Sequence, residues 1–299
     1  MQSFMPVQYV EPLFRPPSEV ASLIFQVTLG CSWNRCTYCD MYTQPQKKFR
    51  PRPEADVLSE IRACAARGLK PRRVFLADGD ALVLSMRRLR TILKEIQRCF
   101  PGLQRVSSYC LPSNLRNKSD EELQELKSLG LGLIYVGAES GDDTVLRQVS
   151  KGEDFESTAR ALVRAKTAGI KTSVMILNGL GGRDYSKQHA DASAQLVNET
   201  QPDYLATLVL TFYGDRLRFE SAFDGGFKEL DTVGLCQEMH RFIEATALDS
   251  TVFRSDHASN HLVLKGVLGR DKERILRQID ESIQFFRRNP EFERESLQY

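Results

Sequence analysis

The sequence lacks long apolar runs and an excess of charge of one sign. No uninterrupted apolar stretch among its 299 residues approaches the length needed to cross a bilayer. The N-terminus, Met1 to Pro6, has no basic region followed by an apolar segment, so no secretory leader is expected. The net charge of +2 gives no global electrostatic case for binding nucleic acid. We therefore expect a cytoplasmic protein without membrane association.

Cysteines are few, but three of the seven lie close together. Cys31, Cys36 and Cys39 directly follow the apolar run 23–27. Disulfides fit poorly, because the total is odd and no leader is visible. Structural zinc needs a fourth ligand, and the next histidine is His189. A [4Fe–4S] cluster held by three thiolates would leave one iron open to a ligand, and this interpretation is favoured. An incomplete zinc site and apolar burial of the cysteines remain alternatives.

Short apolar runs alternate with segments of helical period, which predicts an α/β fold with repeated strand–helix units. Six such units in this order indicate an incomplete parallel (β/α)6 TIM-like barrel. Strands are predicted at 23–28, 73–77, 105–109, 133–137, 171–177 and 204–210, and helices at 54–67, 87–99, 120–129, 155–168, 187–199 and 233–246. Residues 1–20 contain four prolines and are expected to form an irregular arm before a core at 21–250. Residues 251–299 are expected to form a C-terminal capping element and a final helix near 271–288.

Polar and glycine residues follow every predicted strand. In a parallel barrel, reactive groups collect at the carboxyl ends of the strands, so these residues are expected at one face. Each dipeptide alone is a common turn signal, and only their coincidence is informative. The segments are Asp78-Gly79-Asp80, Cys110 to Asn114, Glu139-Ser140-Gly141, Asn178 to Gly182, and Thr211 to Asp215, besides the cysteine loop itself.

The chain resembles the radical S-adenosylmethionine (SAM) superfamily. The resemblance rests on the cysteine loop with Tyr38 before its last cysteine, on Val136 to Gly141 leading to Lys151-Gly152, and on the glycines after the fifth strand. It covers about residues 20–250 and is similar to the branch of coproporphyrinogen dehydrogenases and methylthiotransferases. Two features depart from the family pattern. Four residues, not three, separate Cys31 from Cys36, and Asp78-Gly79-Asp80 replaces two glycines and a glutamate.

This resemblance implies a [4Fe–4S] cluster on Cys31, Cys36 and Cys39 and a SAM molecule on its open iron. Reductive cleavage of SAM would give a 5′-deoxyadenosyl radical that abstracts hydrogen from a substrate. The electron would come from a donor such as flavodoxin or ferredoxin. The cofactor-binding residues implied are Tyr38 against adenine, Asp78 or Asp80 with Gly79 at the methionyl ammonium, Glu139 and Ser140 at the ribose or amino acid, and Asn178 and Gly179 beside the nucleoside.

The polar segment 253–261 lies between two apolar runs beyond the sixth unit. If it caps the open side of the barrel, it brings Arg254, His257 and Asn260 toward substrate. Tyr213 is a further candidate, as hydrogen donor or radical relay. The competing interpretation of the segment is a polar surface turn.

Three functions are compatible with these patterns. The first is a radical SAM enzyme acting on a small or medium-sized molecule. The second is a tRNA- or peptide-modifying enzyme that uses the basic stretch Lys47 to Arg52 and the C-terminal region as its contact surface. The third is a non-catalytic iron–sulfur sensor that binds SAM without cleaving it.

Overall fold

The computed structural model describes residues 6–212, 216–223 and 226–292. It shows an α/β protein with a mostly parallel eight-stranded sheet, which confirms the predicted fold class. The chain divides into two compact units, the first containing residues 1–34, 41–136 and 163–172, and the second residues 35–40, 137–162 and 173–299. The strands are β1 (Leu23–Gln26), β2 (Thr28–Leu29), β3 (Arg50–Pro51), β4 (Arg73–Ala77), β5 (Arg105–Tyr109), β6 (Leu131–Glu139), β7 (Lys171–Asn178), β8 (Tyr204–Val209), β9 (Val252–Ser255) and β10 (Leu264–Val267).

Most helices lie between strands, as the sequence predicts, and the last helix follows the final strand. They are α1 (Glu54–Ala66), α2 (Met86–Cys99), α3 (Pro112–Arg116), α4 (Asp120–Ser128), α5 (Asp143–Gln148), α6 (Phe155–Thr167), α7 (Gly182–Thr200), α8 (Arg216–Glu220), α9 (Thr232–Ala245) and α10 (Leu268–Arg288). No helix in the described ranges is long and apolar enough to span a membrane.

In the first unit, β1, β4, β5 and β6 are neighbours in that order and pair in parallel. Residues 74–77 of β4 are almost completely buried, as is typical of a parallel strand covered on both faces. The irregular arm packs Tyr9 and Leu13 against the apolar cluster of Ile24, Phe75 and Ala77. The Gln26 side-chain amide donates to the Val10 carbonyl at 3.0 Å, and its oxygen accepts from the Val10 N–H at 2.9 Å. The arm is therefore held by side-chain hydrogen bonds, those of Gln26 among them, and by apolar packing.

In the second unit, β8 pairs in parallel with β7 and with β9, and β10 returns antiparallel to β9. The final helix begins three residues before the predicted residue 271, and residues 253–255 of the predicted polar segment belong to β9. The sequence did not predict that β9 would extend the parallel strand order beyond six. Helix α10 buries Ile275, Ile279 and Ile283, which recur every four residues and form one apolar stripe.

Candidate functional site

Two buried carboxylates hold the backbone on either side of Cys31. Asp78 accepts hydrogen bonds from the Gly30 N–H at 3.0 Å and from the Gln26 amide at 3.0 Å. It also forms a 2.9 Å ion pair with Lys47, and neither side chain has any exposure to solvent. Asp80 accepts from the Ser32 N–H at 2.9 Å and from the Ser32 hydroxyl. These contacts fix the position of Cys31 from both of its neighbours.

Asp80 is also in contact with Asn114, whose side-chain amide donates to it at 3.3 Å. Burial raises the pKa of Asp80, while the hydrogen bonds from Ser32 and Asn114 oppose that shift. Gly79 lies between the two carboxylates, and a Cβ at this position would stand 2.8 Å from the Cys31 Cβ. Only glycine therefore allows this close approach. Binding of a methionyl ammonium by Asp78 or Asp80 stays a prediction, since both groups already have internal partners.

The second part of the cysteine loop, residues 35–40, docks on the end of α5. The Thr37 N–H donates to the Val149 carbonyl at 3.0 Å, and the Cys39 N–H donates to the Cys36 carbonyl at 3.3 Å. The Tyr38 ring packs on an apolar cluster of the second unit that includes Val145, Val149 and Leu180. The tyrosine predicted to contact adenine thus also holds its own loop in place.

Tyr38, Lys151 and Glu139 form a polar triad. The Lys151 ammonium lies 3.3 Å from a Glu139 carboxylate oxygen and donates to the Tyr38 hydroxyl at 3.3 Å. Burial lowers the pKa of Lys151, but the Glu139 carboxylate and the thiols of Cys36 and Cys39 more than compensate, so the pKa is raised. Burial, followed by the charges of the same neighbours, raises the pKa of Tyr38 well above its ordinary value. At neutral pH the triad contains a charged ammonium and a neutral phenol.

The backbone around Glu139 is shaped to fold its carboxylate back onto β6. Glu139 has a φ of 67°, in the left-handed region that non-glycine residues rarely adopt. A Cβ on Gly137 would lie 2.1 Å from the Glu139 Oε1 atom. The missing side chain at Gly137 therefore makes room for the carboxylate that pairs with Lys151.

A second buried chain connects Ser140 with the turn after β7. The Ser140 hydroxyl accepts from the Asp142 N–H at 2.9 Å and lies 2.8 Å from His189 Nδ1. On its other side His189 faces Glu238, with 3.8 Å between Nε2 and Oε1. Glu238 then accepts from the Gly179 N–H at 2.6 Å. Gly179 has a φ of 86°, so glycine is suited to this turn.

The other predicted residue of this turn, Asn178, uses its side chain internally. Its amide donates to the Leu235 carbonyl of α9 at 3.2 Å. The residue is buried among the helices, which leaves its predicted contact with a nucleoside as a prediction.

The polar segment of the C-terminal hairpin is tied to the end of β8. The Asn260 amide donates to the Thr207 carbonyl at 2.9 Å, and the Val209 N–H donates to the Ser259 hydroxyl at 3.2 Å. His257 Nδ1 lies 2.9 Å from that hydroxyl, and partial burial lowers the pKa of His257. Arg254 is exposed on β9. Tyr213, the remaining candidate, lies outside the described residues, and substrate contact by this set stays a prediction.

The seven cysteines differ in their surroundings. Cys31, Cys36 and Cys39 are partly exposed, whereas Cys64, Cys110 and Cys236 are buried. Burial raises the pKa of Cys64 and of Cys236 to about 11, which keeps both protonated at neutral pH. The loop cysteines are therefore better suited than these two to act as thiolate ligands.

The donor set can be compared with what a cluster requires. Each thiolate of a [4Fe–4S] cluster binds a different iron, so the three sulfurs need not converge on one point. Three partly exposed thiols with anchored backbone fit the cluster.

Sequence reasoning missed the roles of three charged residues in these contacts. The sequence indicates that Lys47 belongs to an exposed basic stretch, but Lys47 is buried against Asp78. The motif Lys151-Gly152 assigns no role to Lys151, and Glu238 is only one position of a predicted helix. The only signal for Lys151 was its place shortly after Glu139-Ser140-Gly141. For Lys47 and Glu238 the pairing depends on tertiary structure.

Comparison with known proteins identifies the same family as the sequence motifs. Residues 25–196 match the model of the radical SAM superfamily. A protein named as a methylthiotransferase in Methanocaldococcus jannaschii is 29% identical over 162 residues, which are 51% of this chain and 34% of that protein. The heme chaperone HemW of Bacillus subtilis is 23% identical over 154 residues, covering 50% of this chain and 40% of its own. The chain thus spans about a third to two fifths of the length of these relatives.

Solved structures show the same fold at low identity. Coproporphyrinogen III oxidase (HemN) from Escherichia coli, titled a radical SAM enzyme, aligns with a TM-score of 0.55 and 17% identity over 75% of this chain and 52% of its own. These relatives confirm the resemblance to the coproporphyrinogen dehydrogenase and methylthiotransferase branch, and the superfamily's cofactors are a [4Fe–4S] cluster and SAM. The chain belongs to the radical SAM superfamily.

Proposed function

We propose that the protein is an enzyme that cleaves SAM reductively and removes a hydrogen atom from a small or medium-sized substrate. The observation that carries this proposal is the anchoring of the cysteine loop. Gly30 and Ser32 are held by buried carboxylates, and Thr37 is bonded to Val149 at the end of α5, so the protein's own contacts hold the backbone around the cysteines. Such preorganisation is what a metal-binding loop needs.

Cys31, Cys36 and Cys39 would hold the cluster through their thiolates. When bound, the cluster and SAM supply one-electron chemistry that yields methionine and a 5′-deoxyadenosyl radical. The extra residue between Cys31 and Cys36 is accommodated in a loop without strand pairing in residues 32–39. Asp78 and Asp80 orient the first cysteine, and Tyr38 orients the other two.

Cofactor contacts are proposed for groups in both units. In the first, Gly79 gives a close backbone approach beside Cys31. In the second, Glu139, Ser140 and Gly179 are held by Lys151, His189 and Glu238. These supporting contacts keep the proposed ligand-binding groups in single orientations, which reduces the entropy cost of binding.

Substrate contact is proposed for Arg254, His257 and Asn260, with Tyr213 as a further candidate. Partial burial lowers the pKa of His257 and favours a neutral imidazole that can both accept and donate a hydrogen bond. We propose that electrons come from a flavodoxin or ferredoxin and that the protein works in the cytoplasm.

A tRNA substrate is the second candidate, favoured by one relative named as a tRNA-2-methylthio-N(6)-dimethylallyladenosine synthase from Halorhodospira halophila. The basic stretch 47–52 supports this candidate less than the sequence indicates, because part of its positive charge is buried or paired. Lys47 is buried with Asp78, and Arg52 forms a 2.8 Å ion pair with Glu60. Of the four basic residues in the stretch, only Lys48 and Arg50 are exposed. Titration of bulk tRNA at physiological salt tests this candidate, and absence of binding would remove it.

Anaerobic reconstitution with iron and sulfide, then addition of dithionite and SAM, tests the enzyme proposal. We expect 5′-deoxyadenosine from the wild type, and loss of both the product and the visible iron–sulfur absorbance in Cys36→Ala. Cys99→Ala is the matched control, because Cys99 is a partly exposed cysteine on α2 and should leave both signals unchanged. SAM binding without any cleavage product would favour the non-catalytic sensor instead.

A further inference from the structure

Lys151 is a buried cation whose contacts point to the cysteine loop. Its side chain is 6% exposed, and its ammonium lies 3.3 Å from Glu139 and 3.3 Å from the Tyr38 hydroxyl. Tyr38 lies in sequence between Cys36 and Cys39, two of the proposed cluster ligands. The Tyr38 hydroxyl therefore links the ammonium to the segment between two proposed cluster ligands.

The backbone keeps this cation in place. The Lys151 N–H donates to the Leu146 carbonyl at 2.9 Å, directly after α5, and the neighbouring Val149 carbonyl accepts from Thr37 at 3.0 Å. The turn that carries Lys151 is thus bonded to the loop that carries Cys36 and Cys39. Because all these residues belong to the second unit, the ammonium and the loop form one local structure.

A fixed positive charge near an iron–sulfur cluster changes its electron affinity. Reduction adds one electron, supplied by a donor such as dithionite, to a group that already carries negative thiolates. Net charge and hydrogen bonding to the sulfurs are main determinants of cluster potential. Coulomb interactions are stronger in a buried site than in water. An ammonium here stabilises the reduced form more than the oxidised form, and a nearby carboxylate has the opposite effect.

We propose that Lys151, acting through Tyr38 and opposed by Glu139, is a positioning residue that sets the cluster's reduction potential and makes it easier to reduce. This inference rests on the proposed function, because it requires a cluster on the loop. It gives Lys151 a role separate from any contact with SAM or substrate.

A redox titration of the reconstituted protein without SAM, followed by electron paramagnetic resonance, tests the sign of each charge. Lys151→Met should make the midpoint potential more negative, while Glu139→Gln should make it more positive. Lys151→Arg keeps the charge and should stay near the wild-type potential. Loss of packing alone would not move the potential in opposite directions when opposite charges are removed.

The outcomes distinguish this inference from the proposed function. If the wild-type loop assembles no cluster, the proposed function fails. If clusters form with equal iron content in all variants and the potentials of Lys151→Met and Glu139→Gln coincide with that of the wild type, the role of Lys151 is refuted. If Lys151→Met assembles too little cluster, Tyr38→Phe provides the second measurement. Removing the linking hydroxyl should also lower the potential, and an unchanged value there would overturn the proposal.

Discussion

Lys47 and Asp78 form an ion pair that is completely excluded from solvent. Removing each charge from water costs several kcal/mol. The attraction between the two charges and their hydrogen bonds offsets this cost only while all of them are present. Asp78 satisfies this condition through Gly30, Gln26 and Lys47 together. At the residue scale, one carboxylate thus determines how the chain enters the cysteine loop.

Asp78→Asn should be strongly destabilising. The amide leaves the Lys47 ammonium buried without a countercharge, and we expect a loss of about 3–5 kcal/mol in the free energy of unfolding. Urea denaturation measures it. Glu156→Gln, which breaks the exposed pair with Arg160 on α6, is the control and should change stability little. Equal losses in the free energy of unfolding for the two variants would show that the buried pair contributes no more to stability than the exposed pair.

Gly137→Ala tests the folded-back carboxylate. The new methyl group would overlap Glu139 Oε1, so the carboxylate must move and its ion pair with Lys151 must weaken. We expect a loss of about 1–3 kcal/mol in the free energy of unfolding, as for other overpacked sites. Gly102→Ala is the matched control, since a Cβ there meets no atom within 4 Å. A wild-type denaturation curve for Gly137→Ala would show that space at this position is not needed.

The sequence pattern predicts which segments carry polar residues at strand ends. At these points a short apolar run stops and polar or glycine residues follow it. The pattern could not predict that Asp78 pairs with Lys47, 31 residues away, or that Glu139 pairs with Lys151. The local sequence does not indicate whether a charged residue is exposed to solvent or buried in an ion pair. The loop of Lys47 was interpreted as a basic surface for this reason.

The bounds of helices and strands were predicted more accurately than the long-range pairing of strands and side chains. Strands β4 and β5 have the predicted bounds, and α1 and α6 each end one residue earlier than expected. Continuous apolar runs and four-residue stripes are local signals, so their positions follow from local sequence. The parallel pairing of β9 with β8 is a long-range contact without such a signal, and the predicted domain boundaries stay predictions.

Helix α4 begins with a capping box that can be tested separately. The Ser119 hydroxyl accepts from the Glu122 N–H at 3.2 Å, and the Glu122 carboxylate accepts from the Ser119 N–H at 2.9 Å. Ser119→Ala should reduce the free energy of unfolding by about 1 kcal/mol, because one N–H of the first turn loses its acceptor. Ser119→Asp retains an acceptor and should retain most of the stability. If the alanine and aspartate variants unfold at the same urea concentration, the cap contributes nothing.

At the scale of the whole molecule, acid should destabilise the protein through paired carboxylates. Hydrogen bonds from Arg98, followed by those from Arg62, lower the pKa of Glu95 from 4.5 to about 2. A depressed pKa in the folded state contributes stability above pH 4.5 that is lost as the pH falls toward 2. Glu95→Gln should therefore unfold at lower urea than the wild type at pH 7, and this difference should shrink toward pH 2. If the difference in urea midpoint between Glu95→Gln and the wild type stays constant from pH 7 to pH 2, the pKa of Glu95 is not lowered in the folded protein.

The N-terminal arm connects the start of the chain with the cysteine loop through the Gln26 side chain. The same amide nitrogen donates to the Val10 carbonyl and to Asp78, which in turn holds Gly30. Tyr9 adds a 3.0 Å hydrogen bond to the Ile24 carbonyl. A protease that clipped the arm would therefore loosen the cysteine loop without touching it, and if that loop holds the proposed cluster, the sample would lose its colour.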